Sequence, residues 1–306
     1  MNPEPTTRAE GEVPLKTWLD EAQERHAQAP REVAEGLLAR AVTLPDDADG
    51  AEALRLAEHV MLAHLRDAGL LARMLAGTPA TPALQPMRER VAWALATVRA
   101  GDAAAVAAAS PVPLAARWRA LQNVVLLWAQ DGRAEAASAA LRAPAVEALG
   151  HPEAEARKAY AACANNVASE LRLRKVPLDQ PRNAALDALM LEAAQLARRA
   201  WAAAGTWLHV ERADYQLALC HAVVGQGAEA LQHAQACLAT CEAEGADAVE
   251  RFFAHEAMAW ALHASRQPAA VALQRAQMER LLETIGDEAM RAWCRETLQA
   301  LPAATT

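Results

Sequence analysis

The side chains best suited to chemistry lie closest together between His209 and Cys241. Cys220 and His221 are neighbours, a thiol beside an imidazole, which begins a nucleophilic centre if a third group orients the base. Adjacent residues on a helix diverge by about 100°, so the two point different ways, and His221 reads as a satisfied core histidine. His233, Cys237 and Cys241 share one helical face and are residue types that bind zinc. Their three successive turns span roughly 12 Å, and a tetrahedral ion with bonds of about 2.0 to 2.3 Å cannot gather all of them. Two of them would need help from Cys220 or His209. His255-Glu256 lacks the second histidine of a zincin, and Gly225-Gln226-Gly227 lacks the strand that precedes a nucleotide-binding loop. The sequence leads us to expect no catalytic residue, no metal and no cofactor.

What remains is recognition. Trp93, Trp118, Trp128, Trp201, Trp207, Trp260 and Trp293 are large side chains in a chain of small ones, and most of them should fill gaps between helices. Trp207, in the connection Gly205-Thr206-Trp207-Leu208-His209, and Trp260 are the two that read as ligand contacts.

Helices must position these groups. From His209 to Cys241, apolar or small residues recur at Leu217, Ala218, His221 and Ala222, then at Ala230, Ala234 and Leu238, on one face of each of two helices. Gly225 and Gly227 separate the pair. Two helices this short cannot bury an apolar face alone, so similar pairs must stack on both sides. The expected fold is all-α, an α-solenoid of stacked antiparallel helix pairs. Residues 1–14, with three prolines, read as a disordered arm, and residues 15–76 as an N-terminal helical section. Gly77-Thr78-Pro79-Ala80-Thr81-Pro82 is a joint, and residues 86–301 form the array. One helix is expected from Ala51 to Ala68, and breaks near Gly101, Gly132, Pro177, Gly225 and Pro268 divide the rest.

Composition agrees. Hydrophobic residues are 53% of the chain but aromatic ones only 4%, and alternating β-branched runs are almost absent, so helices should approach closely over small contacts. A formal charge of −8, with no Lys/Arg stripe, argues against a nucleic-acid partner. No run of about 20 apolar residues offers a membrane span, and the polar start shows no secretory signal, so the expected location is cytoplasmic. Lys16, Lys158 and Lys175 are the only lysines; that bias towards Arg, with abundant Ala, points to a GC-rich bacterial genome. Five cysteines without a C-x-x-C pair read as buried free thiols.

The pattern resembles the tetratricopeptide-repeat superfamily, whose unit favours a large residue, a small one, an aromatic, Gly at the turn and two Ala positions in the second helix. The best unit supplies Leu217, Ala218, His221, Gly225, Ala230 and Cys237. A second supplies Asn165-Asn166-Val167-Ala168 and Leu171, and a third Met258, Ala259, Leu262, Val271 and Met278. The best match spans about residues 155–283, and the breaks are mostly farther apart than the roughly 34 residues of a regular unit. The resemblance implies a right-handed superhelix that binds a protein or peptide on its concave face. Carried over by position, the inward candidates include Asn123, Asn165, Asn166, Ser169, Arg172, Arg212, Tyr215, Glu256, Trp260 and His263. Asn can hold a peptide backbone and Arg a carboxylate; equally, the Asn pair can bond between helices and the Arg residues form a solvated face. Two readings of other classes stay open. One is a ligand- or peptide-sensing regulator with an enclosed pocket near Tyr215, Trp260 and Asn165; the other is a helical metal protein or enzyme.

Overall fold

A computed structural model describes residues 13–103, 110–174, 176 and 180–301. Most of the expected N-terminal arm and the break at Pro177 lie outside these residues. The fold is all-helical, with no strand among the described residues, and no described helix is long and apolar enough to cross a membrane.

The first section comprises α1 (Leu15–Arg25), α2 (Pro30–Arg40), α3 (Ala48–His59) and α4 (Ala68–Gly77). Pro30 opens α2, where its missing N–H costs nothing. Asp47 caps α3 by accepting from the backbone N–H of Asp49 and Gly50 at 2.9 and 3.0 Å. The single helix expected from Ala51 to Ala68 is not continuous. After His59 the chain widens into a π turn, Val60–His64, with Leu65 N–H donating to the Val60 carbonyl at 2.9 Å. Arg66 then takes φ +55°, which ends the run, and Asp67 caps α4.

The remainder comprises α5 (Gln85–Ala100), α6 (Leu114–Gln130), α7 (Ala134–Arg142), α8 (Ala145–Gly150) and α9 (Ala154–Leu173). It continues through α10 (Ala184–Ala204), α11 (Trp207–Val223), α12 (Gly227–Ala243), α13 (Ala248–Ala264), α14 (Pro268–Thr284) and α15 (Glu288–Ala300). The short α8 has no counterpart in the sequence reading. Trp207 is the first residue of α11, capped by Thr206 and His209, instead of part of a connection. α6, α9, α11 and α13 each pack on the helix that follows them, α7, α10, α12 and α14. In addition α6 packs on α9, α9 on α11, α11 on α13 and α13 on α15.

One apolar cluster runs from Leu19 to Cys220 and continues across the proline-rich joint, because α5 packs against α3 and α4 on one side and α6 on the other. Beyond it the core divides into smaller clusters between neighbouring helices. One has five alanines at its centre, Ala218, Ala230, Ala234, Ala257 and Ala261, with Tyr215, Leu231 and Met258 packed against it, so α11, α12 and α13 approach closely there over methyl groups. Burying Ala costs no side-chain rotamer freedom, and its size lets the backbones approach.

Two glycines set the α11–α12 turn for different reasons. Gly225 has φ +78°, a conformation that a side chain resists. At Gly227, a Cβ would meet the Ser265 side chain and lie 2.9 Å from Ser265 N and 3.0 Å from Ala264 C. Gly227→Ala is expected to lower the unfolding free energy by about 1–3 kcal/mol and Gly225→Ala by about 1–2 kcal/mol, measured by urea denaturation.

Candidate functional site

The helices α9, α11 and α13 carry Arg172, Tyr215, Glu256 and Trp260 into one track. Glu256 is only 8% exposed. Tyr215 Oη donates to Glu256 Oε2 at 2.7 Å, and Trp260 Nε1, one turn further along α13, donates to Oε1 at 3.3 Å. Burial pushes the Glu256 carboxyl above its ordinary value, opposed by these two hydrogen bonds and by the Arg172 charge. Burial also holds the Tyr215 phenol well above its usual value, with the Glu256 charge adding to the effect. Arg172 is half-buried, and its Nε is shielded from solvent with no hydrogen-bond partner. Aromatic rings extend the track: Phe253 lies 6.0 Å from Tyr215 and 4.7 Å from Trp293 of α15, which is 53% exposed. Exposed His263 stands edge-on to Trp260 at 6.2 Å.

The other inward candidates are distributed differently. Arg212 forms an ion pair with Glu250 across α11 and α13. Ser169 and Asn165 are half-buried on α9, and exposed Asn166 donates to Gln122 Oε1 of α6 at 2.9 Å, a bond between helices. Asn123 is buried far from the track, where its Nδ2 donates to Glu58 Oε1 at 2.7 Å. Two cavities stand out, and neither is lined by Tyr215 or Trp260. The larger, about 750 Å³, lies among Trp93, Trp118, Trp128 and Ala140 and opens beside Asp102 and Ala103. The smaller, about 110 Å³, is polar and lined by Arg55, His59, Arg119, Asn123 and Asn166.

Sequence reasoning missed a histidine cluster beside that second cavity. His26, at the end of α1, His59 and His64 each offer a ring nitrogen, and these atoms lie within 4.8 Å of one another. All three rings meet edge-on, with centroids 4.8 to 5.2 Å apart. Burial and its two histidine neighbours push His64 down to about 4, and burial lowers His59. Residues five apart on an α-helix stand about 140° from each other, so helical periodicity separates His59 from His64. The π turn removes that separation by closing its hydrogen bond over five residues. The available signal was that the first three of the nine histidines all fall in the N-terminal section.

No protein-family model, curated protein or solved structure matches the chain.

The cysteine-bearing helix α12 resolves into two separate arrangements. His233 turns to Asp214, 3.0 Å away, and stacks on buried His221. Cys237 and Cys241 instead donate to Glu211 Oε1 at 2.8 and 3.5 Å, while Glu211 Oε2 is buried without a partner. Burial pushes Glu211 above 4.5, with the Glu250 charge adding and the thiol hydrogen bonds and Arg212 opposing. A carboxyl that holds its proton more tightly when folded stabilises the protein below its unfolded value, and that stability is lost as pH rises through the folded value. Glu211→Gln mimics the protonated form and should flatten this loss: from about pH 4.5 to 7.5, urea midpoints are expected to fall less in the variant than in wild type. A steeper fall in the variant would contradict the assignment.

Proposed function

We propose that the protein is a non-catalytic scaffold or adaptor of the tetratricopeptide-repeat kind, an α-solenoid whose concave face holds an extended segment of a partner protein. Contacts that link α6, α9, α11, α13 and α15 in series support this reading, since they set one helix of each pair beside the next. The observation that carries it is the Arg172 Nε donor, buried and without a hydrogen-bond partner among the described residues, beside the Tyr215–Glu256–Trp260 group. Buried donors are normally satisfied, and a partner carboxylate is the strongest acceptor for a guanidinium. Half-buried Trp260 and exposed Trp293 offer the rigid aromatic contact that anchors a peptide's apolar side chain. The occupant is therefore a peptide with an acidic residue close to an apolar one.

Panning a phage-displayed random-peptide library on the immobilised full chain tests this. Enriched peptides should carry that pairing, and Arg172→Glu and Trp260→Ala should each weaken them at least tenfold by fluorescence polarisation, with helical circular dichroism unchanged. Equal affinity for wild type and both variants, or no enrichment over blank support, overturns the reading.

A further inference from the structure

We infer that His26, His59 and His64 form a binding site for one divalent first-row transition ion, zinc foremost. His59 is oriented by the amide of Asn123. Its Nδ2 is committed as donor to the Glu58 carboxylate at 2.7 Å, which fixes the orientation of the group and leaves Oδ1 as an acceptor. Oδ1 lies 3.0 Å from His59 Nδ1, so that nitrogen carries the proton and the Nε2 lone pair faces the cluster. The same logic holds at His26, whose Nδ1 is hydrogen-bonded to the Gln23 carbonyl, leaving Nε2 as the free lone pair. An imidazole whose second nitrogen donates to a carbonyl or carboxylate oxygen is the usual state of a metal-bound histidine, because that bond fixes the tautomer and raises ligand basicity.

The spacing fits as well. In a tetrahedral site with bonds of about 2.0–2.1 Å, ligand nitrogens stand about 3.3 Å apart. His59 Nε2 and His64 Nε2 are 3.1 Å apart. His26 sits where α1 ends, and its ligating nitrogen lies within 4.8 Å of the other two. The Glu170 carboxylate of α9 lies 4.0 Å from His59 Nε2, beside the fourth position, and supplies negative charge there. Arg55, whose charge acts on His59, is held by Glu52, with Nε donating to Oε2 at 2.7 Å. Three imidazoles without a thiolate favour zinc, cobalt, nickel or copper over calcium or magnesium. The bound ion clasps the end of α1 to α3 and the π turn.

The full-length protein, stripped with EDTA, is titrated with ZnCl₂ by isothermal calorimetry and with CoCl₂ by visible absorption. One Zn²⁺ per chain is expected, with a rise in melting temperature, and Co²⁺ should show ligand-field bands without a thiolate-to-metal charge-transfer band. His26→Gln and His64→Gln should each weaken zinc binding at least tenfold, whereas His151→Gln, in a distant loop, should leave it unchanged. His59 is packed against Asn123, so the decisive variants are the other two, with circular dichroism confirming their fold. Absence of stoichiometric uptake, unchanged affinity in the His26→Gln/His64→Gln double variant, or a thiolate charge-transfer band overturns the proposal, the last by assigning the ion to the cysteines.

Discussion

The carboxylate of Glu58 has no contact with solvent, and an ion removed from water is tolerable only where its neighbours replace the water it lost. Two neighbouring helices supply those partners. Arg90 of α5 donates from Nη2 to Oε1 at 3.0 Å and sets Nε 3.0 Å from Oε2, and Asn123 of α6 donates to Oε1. Removing one member of such a group strands the others, at a cost of about 3–5 kcal/mol for a buried ion pair. The charge therefore fixes how α3, α5 and α6 meet, which apolar contact alone would leave free to slide. It also determines the Asn123 amide orientation, and through that the tautomer of His59.

The N-terminal section gains from this a second constraint, the π turn. A π turn inserts one extra residue into a helix, which costs regular hydrogen bonding and persists where the surroundings demand it. Here the widened turn is followed by Arg66 in a left-handed conformation, with its guanidinium 3.4 Å from the Gln130 carbonyl at the end of α6. Gln130 in turn donates to the Ala63 carbonyl inside the turn at 2.6 Å. The irregular backbone is thus satisfied by α6, the helix that also carries Asn123. Backbone and side-chain networks converge on the same interface.

Helix content and most helix boundaries were legible in the sequence, because Ala- and Leu-rich runs with three-to-four spacing and Gly, Pro or Asp at the breaks leave little choice of local structure. The clustering of Arg172, Tyr215, Glu256 and Trp260 was legible in outline, since equivalent positions on successive helices fall side by side. Three features were not. The π turn has no periodic signature, so His59 and His64 looked unrelated. Asn123 reads as an inward polar residue by position, yet it serves a buried carboxylate 65 residues upstream. Cys237 and His233 share a face by spacing, but Glu211 and Asp214, both on α11, draw them to different partners.

The helix α9 links the two polar regions while keeping them apart. Glu170 and Arg172 are two residues apart, about 200° around the helix, so one points towards His59 and the other towards Tyr215 and Glu256. Between them the helix buries Leu171, Ala168 and Val167 in the main apolar cluster, which holds its rotation fixed. A rigid helix of this kind sets the distance between an anion on one face and a cation on the other, and neither charge neutralises its neighbour along the chain. The ordering matters for electrostatics: the carboxylate stands beside the His59 imidazole of the histidine cluster, and the guanidinium stands beside a buried carboxyl and a phenol, where it supplies the positive charge of that group. Exchanging the two residues would set the guanidinium beside the His59 imidazole and a carboxylate beside the buried Glu256 carboxyl, so the order of acid before base on α9 keeps a negative charge on one face and a positive charge on the other.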